Sequence, residues 1–128
     1  MGAEYTPKQV RHLFFDREGQ CCFYCGRALS WSLRGSMLAG GWSLHHRKGR
    51  RAGDSSYPNA LILCGTGTTG CHGWVTEHPE EAFEMGLAIR RLATTEEYEP
   101  ARVRVRREDR TWWLLTERGQ AREVEASW

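Results

Sequence analysis

Apolar and polar positions follow one another in short stretches along this chain, and the period changes from stretch to stretch. After Thr6-Pro7-Lys8-Gln9, the residues Val10, Leu13 and Phe14 fall on one helical face. Thr6 suits the N-cap, Pro7 the first helical position, and Gln9 completes a capping box, so a helix is predicted from there to a stop at Gly19. Residues 21–27 read as a tight turn, and residues 28–41 as a mixed segment ending in a loop at Gly40-Gly41. Trp42 to His46 alternates in part and suits a short strand, and Ala60 to Leu63 suits a second, buried one. The polar residues 47–58 make the loop between them. Cys64 to Gly70 is a Gly/Thr-rich turn, followed by a helix from Cys71 to about His78 and a continuation from Pro79 to Gly86. Leu87 to Leu92 fits a strand or a helix end. Arg102, Arg104 and Arg106 alternate with Val103 and Val105, which predicts a strand that pairs with Trp112 to Thr116. The fold class is therefore α+β: an N-terminal helix, a core over about 20–90 and a C-terminal β-hairpin over about 100–125. The 128 residues suit one domain over 1–128.

Composition narrows the class. Hydrophobic residues make up 40%, with six Trp, four Tyr and four Phe, which excludes a disordered chain. No apolar run approaches the ~18 residues of a membrane span, and no apolar segment follows Met1, so a soluble, cytoplasmic protein is expected. The formal net charge of +2 hides an uneven distribution. Residues 1–53 carry +6, residues 77–99 carry −5, and the densest basic patch is Arg47, Lys48, Arg50 and Arg51. Such a patch suits DNA phosphates; an ordinary solvated loop is the alternative.

The five cysteines change the picture most, because an odd number cannot all pair as disulfides. Cys22 and Cys25 form a C-x2-C pair, and Cys64 and Cys71 lie downstream with six residues between them. Four thiolates can close a tetrahedral structural zinc site, provided the Gly-Thr-Gly-Thr-Thr-Gly insert loops out to let the sulfurs converge. Cys21 is left over. Free buried thiols or incidental disulfides are the alternative.

Three polar residues, His46, Asn59 and His72, stand thirteen positions apart: at a strand end, a strand start and a helix start. The segments around them are Leu44-His45-His46-Arg47, Asn59-Ala60-Leu61-Ile62-Leu63-Cys64-Gly65 and Gly70-Cys71-His72-Gly73-Trp74-Val75. In these the sequence resembles the HNH endonucleases, whose core is a ββα-metal unit, and is most similar to the small HNH proteins of tailed bacteriophages. The resemblance implies a metal-dependent DNA endonuclease that hydrolyses phosphodiesters of double-stranded DNA in the bacterial host cell, in phage DNA processing or packaging beside terminase. It assigns His46 as the general base and His45 and His72 as ligands of a catalytic divalent ion (Mn²⁺, Mg²⁺, Ni²⁺ or Zn²⁺). It makes Asn59 the residue that pins the loop and orients the base.

Adjacent strand residues point to opposite faces, so a bend is expected at His45-His46. Similar proteins carry a second helix ligand one turn beyond the first; here that position is Thr76. This departure keeps open an alternative, a zinc-stabilised DNA- or protein-binding module with a weakened or vestigial site. His12 and His78 read as ordinary histidines, and most of the tryptophans as core.

Overall fold

The computed structural model describes residues 4–49 and 53–125. Arg50, Arg51 and Trp128 lie outside these residues. The N-terminal helix is present: α1 spans Pro7–Arg11 and continues as a wider, π-type helix over His12–Arg17. Thr6 and Gln9 form the reciprocal capping box, satisfying two backbone donors that a helix start otherwise leaves open. Leu13 and Phe14 are completely buried.

Two strands form an antiparallel pair, β1 (Trp42–His46) and β2 (Ala60–Cys64). His45 lies opposite Leu61 and His46 opposite Ala60. Every residue of β2 is buried, which is why it reads as a continuous apolar run and not as an alternation. Two helices follow, α2 (Gly70–Glu77) and α3 (Pro79–Met85), and α2 packs on both β2 and α3. Gly86 closes α3 in the left-handed conformation at φ +74°, as its position after the last helical turn suggests. A Cβ there would meet the carbonyl oxygen of Arg104, so the close approach as well as the dihedral calls for glycine.

The expected C-terminal hairpin is present in shortened form, with Val105 opposite Trp113 and Arg106 opposite Trp112, and a third strand extends it. The result is a three-stranded antiparallel sheet of β3 (Val105–Arg106), β4 (Trp112–Leu115) and β5 (Ala121–Val124), in the order β3-β4-β5. Residues 100–102 form a 3-10 turn, and only the last part of the Arg/Val alternation becomes strand. The cause is Arg47. Its guanidinium binds the carbonyls of Pro100 and Val103, which commits that backbone to a side chain instead of a neighbouring strand. Leu87 to Leu92 is likewise neither strand nor helix; one bridge, Lys48 to Ile89, holds it.

Arg47 is also a correction to the basic patch. The expectation placed it on DNA, but it is 1% exposed. Nε donates to Gly86 O at 2.9 Å, Nη1 to Pro58 O and Pro100 O at 2.9 Å each, and Nη2 to Val103 O at 2.6 Å. These four carbonyls take the place of water around the cation, and burial lowers its pKa to about 9, which keeps it charged at neutral pH. Arg47 is a buried tie between segments and cannot reach a phosphate.

The core is a cluster that joins α1 and its extension, β1, β2, α2, α3, β3 and β4. Its aromatic centre is Phe14, Phe15, Trp31 and Trp42; the Trp31 and Trp42 rings are stacked at 5.5 Å. Among the described residues, no helix is long and apolar enough to cross a membrane.

Candidate functional site

Cys22, Cys25, Cys64 and Cys71 come together. One sulfur from each lies within 4.8 Å of all the others, and among the described residues they are the one group of three or more metal-ligand side chains that does so. The Cys25 and Cys64 sulfurs are 3.9 Å apart. Two thiolates on a tetrahedral ion with ~2.3 Å bonds are about 3.8 Å apart, so this spacing fits a metal such as zinc. The C-x2-C turn places two of the ligands: Gly26 N–H closes it on Cys22 O at 3.0 Å, and Phe23 N–H fastens it to Ile62 O on β2 at 2.8 Å. Cys64 ends β2 and Cys71 lies in the first turn of α2.

The turn between Cys64 and Cys71 is tight and hydrogen-bonded rather than a floppy insert. Thr66 N–H donates to Thr69 Oγ1 at 2.9 Å, and the backbone of Thr69 accepts Gly73 N–H at 2.8 Å. Its ordered fold brings the wide pair into range. The Cys71 thiol and nearby backbone amides favour the Cys22 thiolate, lowering its pKa to about 5, while burial and the neighbouring thiols push Cys25 up to about 11. A thiol set that can shed only some of its protons by itself is one that a cation would complete. Cys21 stays out of the cluster, with its thiol directed to Gly19 O at 3.4 Å.

The histidines form a second grouping. The His45 and His72 rings meet edge to face, with centroids 5.0 Å apart. His45 Nε2 lies 2.8 Å from Leu87 O and must donate to it, because a carbonyl only accepts. That leaves Nδ1 as its lone-pair nitrogen. Ser43 Oγ donates its proton to Gly65 O at 2.8 Å and therefore accepts from His72 Nδ1 at 2.6 Å. That leaves Nε2 as the lone-pair nitrogen of His72. Both tautomers are set by hydrogen bonds of the kind that orient metal-binding imidazoles. Burial lowers the His45 pKa to about 3, helped by the His72 ring; burial and then His46 lower that of His72. Both rings are held neutral.

His46 is electrostatically close to both rings but does not join them in a three-ligand set within 4.8 Å. The expected change of direction comes one residue late: β1 runs regularly through His46, and the chain bends at Arg47. Tyr5 packs against His46, with ring centroids 5.3 Å apart, and its hydroxyl donates to Ser56 O at 2.6 Å.

Asn59 is fully buried. Its Oδ1 accepts Lys48 N–H at 2.8 Å, and its Nδ2 donates to Lys48 O at 3.1 Å and Asp54 O at 2.9 Å. It thus fastens both ends of the loop that leaves β1. Lys48 is half-buried. The Thr76 hydroxyl donates to His72 O at 3.1 Å within its own helix. His12 bonds Gly119 O and Asp16, and His78 stacks on Trp74, both as ordinary structural groups.

Sequence reasoning missed Ser43, Tyr5 and the Leu87 carbonyl. Ser43 had a signal, since it lies two residues before His45 and so on the same strand face; Tyr5 and Leu87 had none. Comparison of the chain with protein-family models, with curated proteins and with solved structures returned no match.

Proposed function

We propose that the chain is a metal-dependent DNA endonuclease of the HNH type, acting on double-stranded DNA. The observation that carries this reading is the meeting of His45 and His72. Their rings lie 5.0 Å apart, and each tautomer is fixed so that one lone-pair nitrogen is left for a cation. In this reading the four cysteines hold a structural zinc, whose preference for thiolates matches the set. His45 and His72 hold the catalytic divalent ion, and two imidazoles suit Mn²⁺, Ni²⁺ or Zn²⁺ better than Mg²⁺, which prefers oxygen. That ion, when bound, neutralises charge on the scissile phosphate and the departing 3′ oxygen. His46 takes the proton of the attacking water, a role suited to an imidazole at neutral pH. Asn59 holds the loop that follows His46 to the start of β2, so the base does not drift from the ligands. Tyr5 packs on the ring of that base.

The test is plasmid nicking with Mn²⁺, Mg²⁺, Ni²⁺ and Zn²⁺, wild type against His46→Ala. Cutting that depends on the added ion and falls at least about a hundredfold in the variant is expected. No cutting with any ion, or cutting equal in both proteins, overturns the reading. One observation favours a second reading, a zinc-stabilised DNA- or protein-binding module. The residue one turn beyond His72 offers a hydroxyl already engaged by its own helix, not an imidazole. That reading expects DNA or partner binding without cleavage.

A further inference from the structure

With Arg47 buried and lost as a DNA contact, a phosphate-binding surface has to come from other cations. Among the described residues, the exposed ones closest along the chain to the Tyr5–His46 contact lie on α1. Tyr5 packs on His46 at one end of β1, and six residues later Arg11 places its guanidinium 5.1 Å from the centre of the Trp31 ring. Trp31 stacks on Trp42 at the other end of β1, and the Arg34 guanidinium lies 5.3 Å from the Trp42 ring. The N-terminal segment therefore runs alongside β1, from its His46 end to its Trp42 end. At ~3.3 Å per residue the strand covers about 13 Å.

Lys8 and Arg11 line the same shallow depression on α1. Asp16, the acid on that depression, is taken up by His12 at 3.0 Å. Lys8, Arg11 and Arg34 are all exposed, and among the described residues none of them is held in an ion pair. Each guanidinium packs on an indole, a contact that restrains the side chain and lowers the ordering cost of a phosphate contact.

We infer that Lys8, Arg11 and Arg34 form a phosphate track that leads the backbone of duplex DNA along α1 toward His46. The inference rests on the endonuclease reading and adds the surface by which the substrate is held. The contacts are to backbone phosphates, so binding along the track is independent of sequence and sensitive to salt.

The experiment measures binding of the zinc-loaded full chain to a short labelled DNA duplex over a range of salt, with no other divalent ion added. It compares wild type with Lys8→Gln/Arg11→Gln/Arg34→Gln and with a control of equal charge loss elsewhere, Arg110→Gln/Arg118→Gln/Arg122→Gln. The track variant is expected to bind at least about tenfold more weakly, with a salt slope reduced by about 0.9 per lost contact. The control is expected to bind nearly as wild type. Equal losses in both triple variants, or an unchanged track variant, overturn the track while leaving the endonuclease reading to the nicking assay. Ion-dependent nicking by wild type together with unchanged duplex binding by the track variant overturns the track alone. Should the triple variant lose its tryptophan near-UV signal, Lys8→Gln alone, which touches no indole, is expected to lower the slope by about 0.9; no change refutes the track.

Discussion

Arg47→Met is the substitution with the largest effect expected of a residue outside the two candidate metal sites. The variant keeps most of the aliphatic volume and removes the guanidinium. Four carbonyls, those of Pro58, Gly86, Pro100 and Val103, then lose a charged donor in a place where water has little access. Hydrogen bonds to a charged group contribute ~1.5–3 kcal/mol each, so the four together approach ~6–12 kcal/mol in gross terms. Against this stands the cost of holding the cation away from water, several kcal/mol. The net loss is about 3–5 kcal/mol, a large share of the ~5–15 kcal/mol by which a domain is normally stable. Guanidinium-chloride unfolding of the metal-loaded protein, followed by tryptophan fluorescence, reads it directly. Arg47→Lys is expected to lose nearly as much, because an ammonium has three donors and no planar fork to reach four carbonyls. A variant within about 0.5 kcal/mol of wild type that binds DNA more weakly would refute the reasoning and return Arg47 to the phosphate-binding set.

Chelation of the metal, or Cys64→Ser, is expected to unfold the region around the four thiols, since structural zinc contributes ~10–16 kcal/mol in zinc-finger peptides; metal analysis alongside circular dichroism checks it, and a fully folded metal-free chain contradicts it. Ser43→Ala removes the acceptor of His72 Nδ1 and is expected to weaken divalent-ion binding at the histidines by about 10–100-fold with little change in melting temperature; titration calorimetry on the zinc-loaded protein decides. In protein whose histidine site is empty, the His45 pKa is near 3 when folded and 6.5 as the ordinary value, so the folded state binds fewer protons between the two. The stability that neutral His45 contributes is therefore present above pH 6.5 and lost as pH falls toward 3, at up to about 1.4 kcal/mol per pH unit. Urea unfolding at a series of pH values should show a steeper slope in wild type than in His45→Gln, which keeps the part that His72 contributes; equal slopes refute the assignment. Gly86→Ala should cost at least about 2 kcal/mol, from the left-handed dihedral and from the clash with Arg104 O; an unchanged melting temperature speaks against the packing described.

What was legible in the sequence is what local signals control. Thr6 and Gln9 cap a helix because their groups reach backbone donors three residues away. The strand limits at Trp42–His46 and the C-x2-C turn also follow from neighbours in the chain. The sequence misleads at Arg47 because four basic residues within five positions look like a surface patch, and its burial depends on carbonyls eleven to fifty-six residues away. The Arg102–Arg106 alternation becomes strand only at Val105–Arg106 for the same reason, since Arg47 binds the carbonyls of Pro100 and Val103. Ala121–Val124 pairs with β4 through a register that its mixed side chains, Ala-Arg-Glu-Val, do not announce.

The two histidine-site elements are joined through one turn. Gly86 O accepts the Arg47 guanidinium, and the next carbonyl, Leu87 O, accepts His45 Nε2–H. Two adjacent carbonyls at the end of α3 thus hold two side chains from the end of β1 and its exit. The left-handed conformation of Gly86 permits this turn and the close approach of Arg104 behind it. The same guanidinium binds the carbonyl of Pro58, next to Asn59, whose side chain holds the loop that follows His46. The orientation of His45 and the path of the chain past His46 therefore depend on one buried cation that contacts neither imidazole by any hydrogen bond described above. In a core this small, a buried charge with every acceptor satisfied links segments that apolar packing alone would leave free to shift by the tenths of an ångström that matter to metal ligands. The residue after the two histidines acts on their arrangement from the inside, and the phosphate contacts we propose lie instead on the outer face of α1.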